Sequence, residues 1–110
     1  MRKHKYNAVK TEAFGITFDS KAEAKRYGEL RLLLMAGEII ELETQPRFPC
    51  NVNGLLVCTY VADFKYREQK TRELIIEDVK SPHTAKLPVY RVKKKLVEAV
   101  YGLTITEVTK

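Results

Sequence analysis

The stretch Glu73-Leu74-Ile75-Ile76-Glu77-Asp78-Val79-Lys80 constrains the fold of this chain more than any other. It is apolar on both faces, so it reads as a central strand of a sheet that is covered on both sides. Side chains two apart on a strand share a face, which puts Asp78 and Lys80 on one side and Glu77 and Val79 on the other. Upstream, Tyr60-Val61-Ala62-Asp63-Phe64 reads as a strand that continues to about Arg67 and returns through the turn at Glu68-Gln69-Lys70. Asp63 is thereby placed across a hairpin from Asp78 and Lys80. Burying unpaired carboxylates costs several kcal/mol, so both aspartates call for a compensating cation, either a metal ion or Lys80 itself in a structural salt bridge. Two hard anionic groups suit Mg²⁺ or Mn²⁺, and a lysine beside them suits a bound phosphate or an attacking water. Such a set fits hydrolysis of a phosphodiester. A bulge at this point of the strand would exchange the roles of Glu77 and Asp78.

The rest of the chain supplies the covering layers. Residues 1–17 are polar and basic with little apolar periodicity, which predicts an arm whose Lys3, Lys5 and Lys10 either follow a phosphate backbone or are solvated. Ser20 or Asp19 offers an N-cap, and Ala24, Tyr27, Leu30, Leu33 and Leu34 recur at helical spacing, so a helix is expected from Ser20 to Met35, ending at Gly37. Glu23 lies three residues after Ser20, the position of a capping-box glutamate, which explains it without a metal. Strands are expected over Glu38–Thr44, Phe48–Val52 and Leu55–Val61. The last two flank Asn53-Gly54, a strong hairpin signal, and together they predict an antiparallel meander. Ser81–Leu87 reads as a loop carrying His83. A helix from Pro88 to Tyr101 is expected to turn Val89, Val92, Leu96, Val97 and Val100 inward, with Arg91, Lys93, Lys94 and Lys95 outside. Gly102 closes it, and Leu103–Val108 alternates as a final edge strand.

The 110 residues suit one small domain. A net charge of +6 and a pI of about 9.4 favour a polyanionic partner without separating DNA from RNA. The basic N-terminus lacks the apolar core of a signal peptide, and no run approaches the roughly 20 apolar residues of a membrane span. A soluble cytoplasmic protein is expected. Cys50 and Cys58 read as reduced core residues, and with His4 and His83 they lack zinc-site spacing.

Asp63 followed by Asp78-Val79-Lys80 resembles the D…(D/E)xK core of the PD-(D/E)XK nuclease superfamily, which includes restriction enzymes and Holliday junction resolvases. The chain as a whole resembles a family of small phage-encoded, nuclease-like proteins labelled a domain of unknown function. The segments that carry this likeness are Lys5-Tyr6-Asn7-Ala8, Phe18-Asp19-Ser20-Lys21-Ala22-Glu23-Ala24, Gln45-Pro46-Arg47-Phe48, Tyr60-Val61-Ala62-Asp63-Phe64, Glu77-Asp78-Val79-Lys80 and Lys93-Lys94-Lys95. Ala62 stands where the superfamily's motif has its proline, which many members lack.

The resemblance implies an α/β (α+β) fold, a three-layer restriction-endonuclease-like αβββαβ core with a mixed sheet flanked by helices over residues 18–110. It implies a catalytic set of Glu23, Asp63, Asp78 and Lys80. Glu23, Asp63, Asp78 and the main-chain carbonyl of Val79 would hold Mg²⁺ or Mn²⁺. Lys94, with Arg91 and Lys93 beside it, would contact phosphate from the helix after the acidic strand. The implied activity is metal-dependent endonucleolytic hydrolysis of DNA, with a homodimer resolving branched DNA as the leading form and a flap or nicking enzyme close behind. The alternative is a non-catalytic nucleic-acid-binding protein whose acids are structural.

Overall fold

The computed structural model describes residues 10–109. Lys3 and Lys5 therefore lie outside the described residues. Two short strands, β1 (Thr11–Ala13) and β2 (Ile16–Phe18), pair antiparallel around the Phe14-Gly15 turn, where both residues take positive φ. Residues 11–18 are thus a hairpin, covering most of the second half of the stretch read as an arm. Its short apolar signal, Ala13, Ile16 and Phe18, is enough because it packs on the following helix.

That helix, α1 (Lys21–Met35), starts as the capping box predicts: the Glu23 amide donates to Ser20 Oγ at 3.2 Å, and Ser20 Oγ lies 3.3 Å from Glu23 Oε2. It ends where Gly37 takes a left-handed φ of 79°, with the amides of Gly37 and Glu38 donating to the carbonyls of Leu34 and Leu33. Next come β3 (Ile39–Thr44), β4 (Arg47–Val52), β5 (Leu55–Val61), β6 (Phe64–Glu68), β7 (Leu74–Lys80), the single-turn helix α2 (Pro82–Ala85), α3 (Pro88–Tyr101) and β8 (Ile105–Thr109). Ser81 caps α2, so the segment expected to be a loop contains a helical turn.

The main sheet has the order β3-β6-β7-β8, with β7 and β8 parallel and the other pairs antiparallel, so the fold is α+β with a mixed sheet. As expected, β7 is central and β8 lies at the edge. The expected antiparallel run is present, with β4 against β5, and β6, which follows β5 after two residues, against β7. Gln45-Pro46 carries β3 on into β4 without a reversal; the chain folds back instead at Asn53-Gly54, where φ is 52° and 82°. Consequently β4 pairs with β5 and β3 with β6. The junction is spanned by Gln45 N–H to Asp63 O at 2.9 Å and Ala62 N–H to Pro46 O at 3.1 Å.

The sheet separates two cores. On one face α1 and the β1–β2 hairpin bury Phe18, Tyr27, Leu30, Phe64 and Val79; on the other, Ile76 packs with Phe48, Cys50, Tyr60, Val97 and Ile105 beneath α3 and the β4–β5 hairpin. The alternation of Ile76 and Val79 between the two cores is the two-sided pattern of β7 realised. The α3 expectation is corrected in part: Val97 is buried and Leu96 partly so, but Val89, Val92 and Val100 are exposed. The helix meets the sheet layer along one stripe, held where Tyr101 donates to the Pro49 carbonyl at 2.6 Å and packs edge-on against Phe48. Cys50 and Cys58 face each other in register across β4 and β5 as free thiols. Among the described residues no helix is long and apolar enough to cross a membrane.

Candidate functional site

Asp63 does not lie within a strand. β5 ends at Val61 and β6 begins at Phe64, so Asp63 sits in the bend between them, beside the middle of β7. The bend turns its backbone into β7: its amide donates to the Glu77 carbonyl at 3.0 Å and to Asp78 Oδ1 at 3.1 Å. Its own Oδ2 accepts the Val79 amide at 2.7 Å. A strand residue sends its N–H and C=O off the same edge, so the Val79 carbonyl leaves β7 on the Asp63 side.

Asp78 is 1% exposed. Its Oδ2 accepts a hydrogen bond from the Tyr60 hydroxyl, which comes from the last turn of the ladder in β5. Tyr60 also interacts with Tyr90 of α3, whose hydroxyl donates to Glu107 Oε2 at 2.9 Å. Lys80 shares the Asp78 face, with its ammonium 5.0 Å from the centre of the Tyr90 ring. Glu77 points the other way. Arg26 of α1 grips it from Nε at 2.9 Å and Nη2 at 2.7 Å, and the Tyr66 hydroxyl donates to the same carboxylate. The pairing of β7 with β6 and β8 runs without a bulge, so Glu77 and Asp78 keep the faces that the strand period assigns.

Glu23 reaches the same neighbourhood from the first turn of α1. Burial, and then the negative charge of Asp63, push its pKa up to about 7. Burial also raises Asp63 and pushes Asp78 up to about 6, with the Tyr60 hydroxyl opposing the Asp78 shift and the charge of Asp63 adding to it. Lys80 offsets all three acids. The four residues singled out from the sequence therefore form one electrostatic unit.

Among the described residues, no three Asp, Glu, His or Cys side chains converge closely enough to hold a metal ion. The reason is visible in the hydrogen bonds: Asp78 is turned to Tyr60 and the Asp63 amide, Asp63 to the Val79 amide, and Glu23 to Ser20. The donor chemistry nevertheless fits a hard divalent cation. Three crowded carboxylates whose ionised forms are disfavoured carry the kind of charge that such an ion would neutralise, and the Val79 carbonyl adds a fourth oxygen at the same edge.

The basic residues of α3 divide between two sides of the helix. Lys94 is neutralised by Glu107 at 3.1 Å, on the β8 side of α3. Lys93 instead lines a groove of about 490 Å³ whose walls include Asp78, Lys80 and Tyr90. Neighbouring side chains on a helix point roughly 100° apart, so Lys93 and Lys94 serve different sides of α3. Arg91 is exposed on the Lys94 side, and Lys10 is exposed and paired with Asp19 at 3.1 Å. His83 is exposed on α2. The sequence reading missed Tyr60 and Tyr90. The signal for Tyr60 was a phenol on the same strand parity as half-buried Cys58 and buried Ala62, where its hydroxyl needs a partner.

A family model described as "Protein of unknown function (DUF1064)" matches residues 3–110. No curated protein and no solved structure matches the chain.

Proposed function

The chain belongs to that family, and from the site it carries we propose that it is a metal-dependent endonuclease of the PD-(D/E)XK kind that hydrolyses DNA. The observation that carries this reading is the joint placement of Asp63, Asp78 and Lys80. Buried Asp78 and half-buried Asp63 are locked together at one edge of β7, and a lysine two residues on shares the face of Asp78. The element order supports it: α1, β3, β6, β7, α3 and β8 follow the αβββαβ core, with the β4–β5 hairpin inserted between β3 and β6.

Glu23, Asp63, Asp78 and the Val79 carbonyl would hold Mg²⁺ or Mn²⁺. Such an ion supplies charge neutralisation at the scissile phosphate and a more acidic water. The protein's own contribution is positional. The Asp63 amide and the Tyr60 hydroxyl fix both oxygens of Asp78, and Val79 fixes one oxygen of Asp63. Lys80, steadied over the Tyr90 ring, holds its ammonium where it can orient the attacking water or screen the phosphoryl oxygens. The substrate would be branched or duplex DNA in the host cell cytoplasm, cut by a homodimer. The exposed Leu55, Leu56 and Val57 of the hairpin offer apolar surface for a second copy.

A second reading, a non-catalytic nucleic-acid-binding protein, is favoured by one observation: every carboxylate oxygen of Asp78 already has a protein donor. Cleavage of labelled four-way junction, flap, single-stranded and duplex DNA with Mg²⁺ or Mn²⁺ separates the two. The nuclease reading expects cutting that Asp78→Asn and Lys80→Ala abolish while the fold survives. Binding without cutting, unchanged in both variants, would establish the second reading instead.

A further inference from the structure

We infer that the groove between the end of β5, Lys80 and the start of α3 receives an unpaired nucleotide next to the scissile phosphate. This rests on the nuclease reading and narrows its substrate to DNA with a displaced or extruded base. The groove is mixed in a specific way. Asp78 reaches it from the floor, and Lys80 and Lys93 supply positive charge. Between them stand apolar walls, Val61, Leu87 and Val89, with Val61 44% and Val89 67% exposed.

A continuous duplex does not use such walls. Its stacked bases are turned inward, and the phosphates it presents ask for cations and hydrogen-bond donors rather than valine and leucine. An unstacked base has an apolar face that such walls cover, and its phosphate carries the charge that two lysines match. The size agrees, since about 490 Å³ lies within the ~300–1,000 Å³ typical of small-ligand pockets. Asp78 on the floor puts such a nucleotide within reach of the candidate metal ligands. Tyr90 faces the same groove, and its ring already orients Lys80, so one side chain would read the base and place the ammonium.

The test uses the full chain and two oligonucleotide substrates of one sequence, an uninterrupted duplex and a duplex with one unpaired nucleotide or flap. Both carry 2-aminopurine at the same nucleotide, paired in the first and unpaired in the second, and native protein is compared with Val89→Asp. Val89 is in the first turn of α3, where an aspartate is compatible with the helix, and an unchanged melting curve checks that. The expected result is at least tenfold faster cutting at the unpaired nucleotide, a preference that Val89→Asp removes, and a fluorescence change on binding with Ca²⁺ that the same variant loses. Equal cutting of both substrates by the native protein would overturn the inference. So would equal slowing of both by Val89→Asp, the pattern expected if a second copy of the chain filled the groove. If nothing is cut, the nuclease reading fails on its own. The groove is then judged by binding: loss of affinity in Val89→Asp confined to the unpaired substrate upholds it, and equal loss on both overturns it.

Discussion

The amide of Asp63 donates to Oδ1 of Asp78 at 3.1 Å, so the two acids of the candidate site are joined through the main chain of one of them. Their separation is set by the bend between β5 and β6 and not by side-chain rotamers alone. Asp78 is consequently held in place even though its own charge is disfavoured there.

Replacement of Asp78 by asparagine keeps an acceptor for the Asp63 amide and offers an amide group to the Tyr60 oxygen while removing a buried charge. At pH 8 without divalent ions, Asp78→Asn should melt a few degrees above the native chain, as sites that trade stability for function do. Thermal unfolding followed by circular dichroism measures this. A variant that melts well below native would mean that Asp78 is a structural acid.

The raised pKa values set a pH dependence. A carboxylate whose pKa is higher in the folded state binds its proton more tightly there, so the folded state is favoured at low pH and loses that advantage as pH rises from the ordinary carboxylate range through the folded value. With Asp78 at about 6 and Glu23 at about 7, metal-free protein should lose stability from about pH 4 to about pH 7. Glu107, held low by Tyr90 and Lys94 despite some burial, acts in the opposite sense only at the acid end of that window and below it. Added Mg²⁺ should restore the loss, with affinity climbing over the same interval. Melting temperatures in EDTA and in Mg²⁺ across this range test it, and a flat metal-free profile would argue against the crowding of the three acids.

Tyr60→Phe removes the hydroxyl that lowers the Asp78 pKa. The acidic limb of the cleavage profile should then move to higher pH, with activity at pH 7 down by about tenfold and recovering as pH rises, the size of effect that losing a hydrogen-bonded support of a metal ligand produces. A uniform loss at every pH would indicate damage to packing instead.

On the opposite face, Arg26→Ala would leave Glu77, 2% exposed, without its guanidinium. A cost of about 3 kcal/mol is expected, the low end for breaking a buried pair because Arg26 itself is partly solvated. Adding Glu77→Gln should recover much of it. Urea unfolding of the single and double variants measures the coupling, and additive losses would show that the pair contributes little.

Much of this arrangement was legible in the sequence. The faces of Glu77, Asp78, Val79 and Lys80, the Ser20 cap with Glu23, and the Asn53-Gly54 turn each follow from a local rule, and each stands in the structure. What escaped depended on distant partners. Strand pairing of β3 with β6 is decided by where the chain can reverse, and no single stretch records it. The exposure of Val89 and Val92 depends on how much of α3 the β4–β5 hairpin covers. Tyr60 and Tyr90 meet only after β5 and α3 pack, so neither residue alone signals a support for Asp78.

The Arg26–Glu77 pair has a consequence for the strand that carries Asp78 and Lys80. A slip of β7 by one residue would swing every side chain to the other face, pull Glu77 from its guanidinium, and strand Asp78 against α1. The ion pair lies on the face away from the groove, yet it works as a pawl: α1 catches one tooth of β7 and so indexes the next. Loosening it would be felt first as misplaced chemistry on the far side of the sheet.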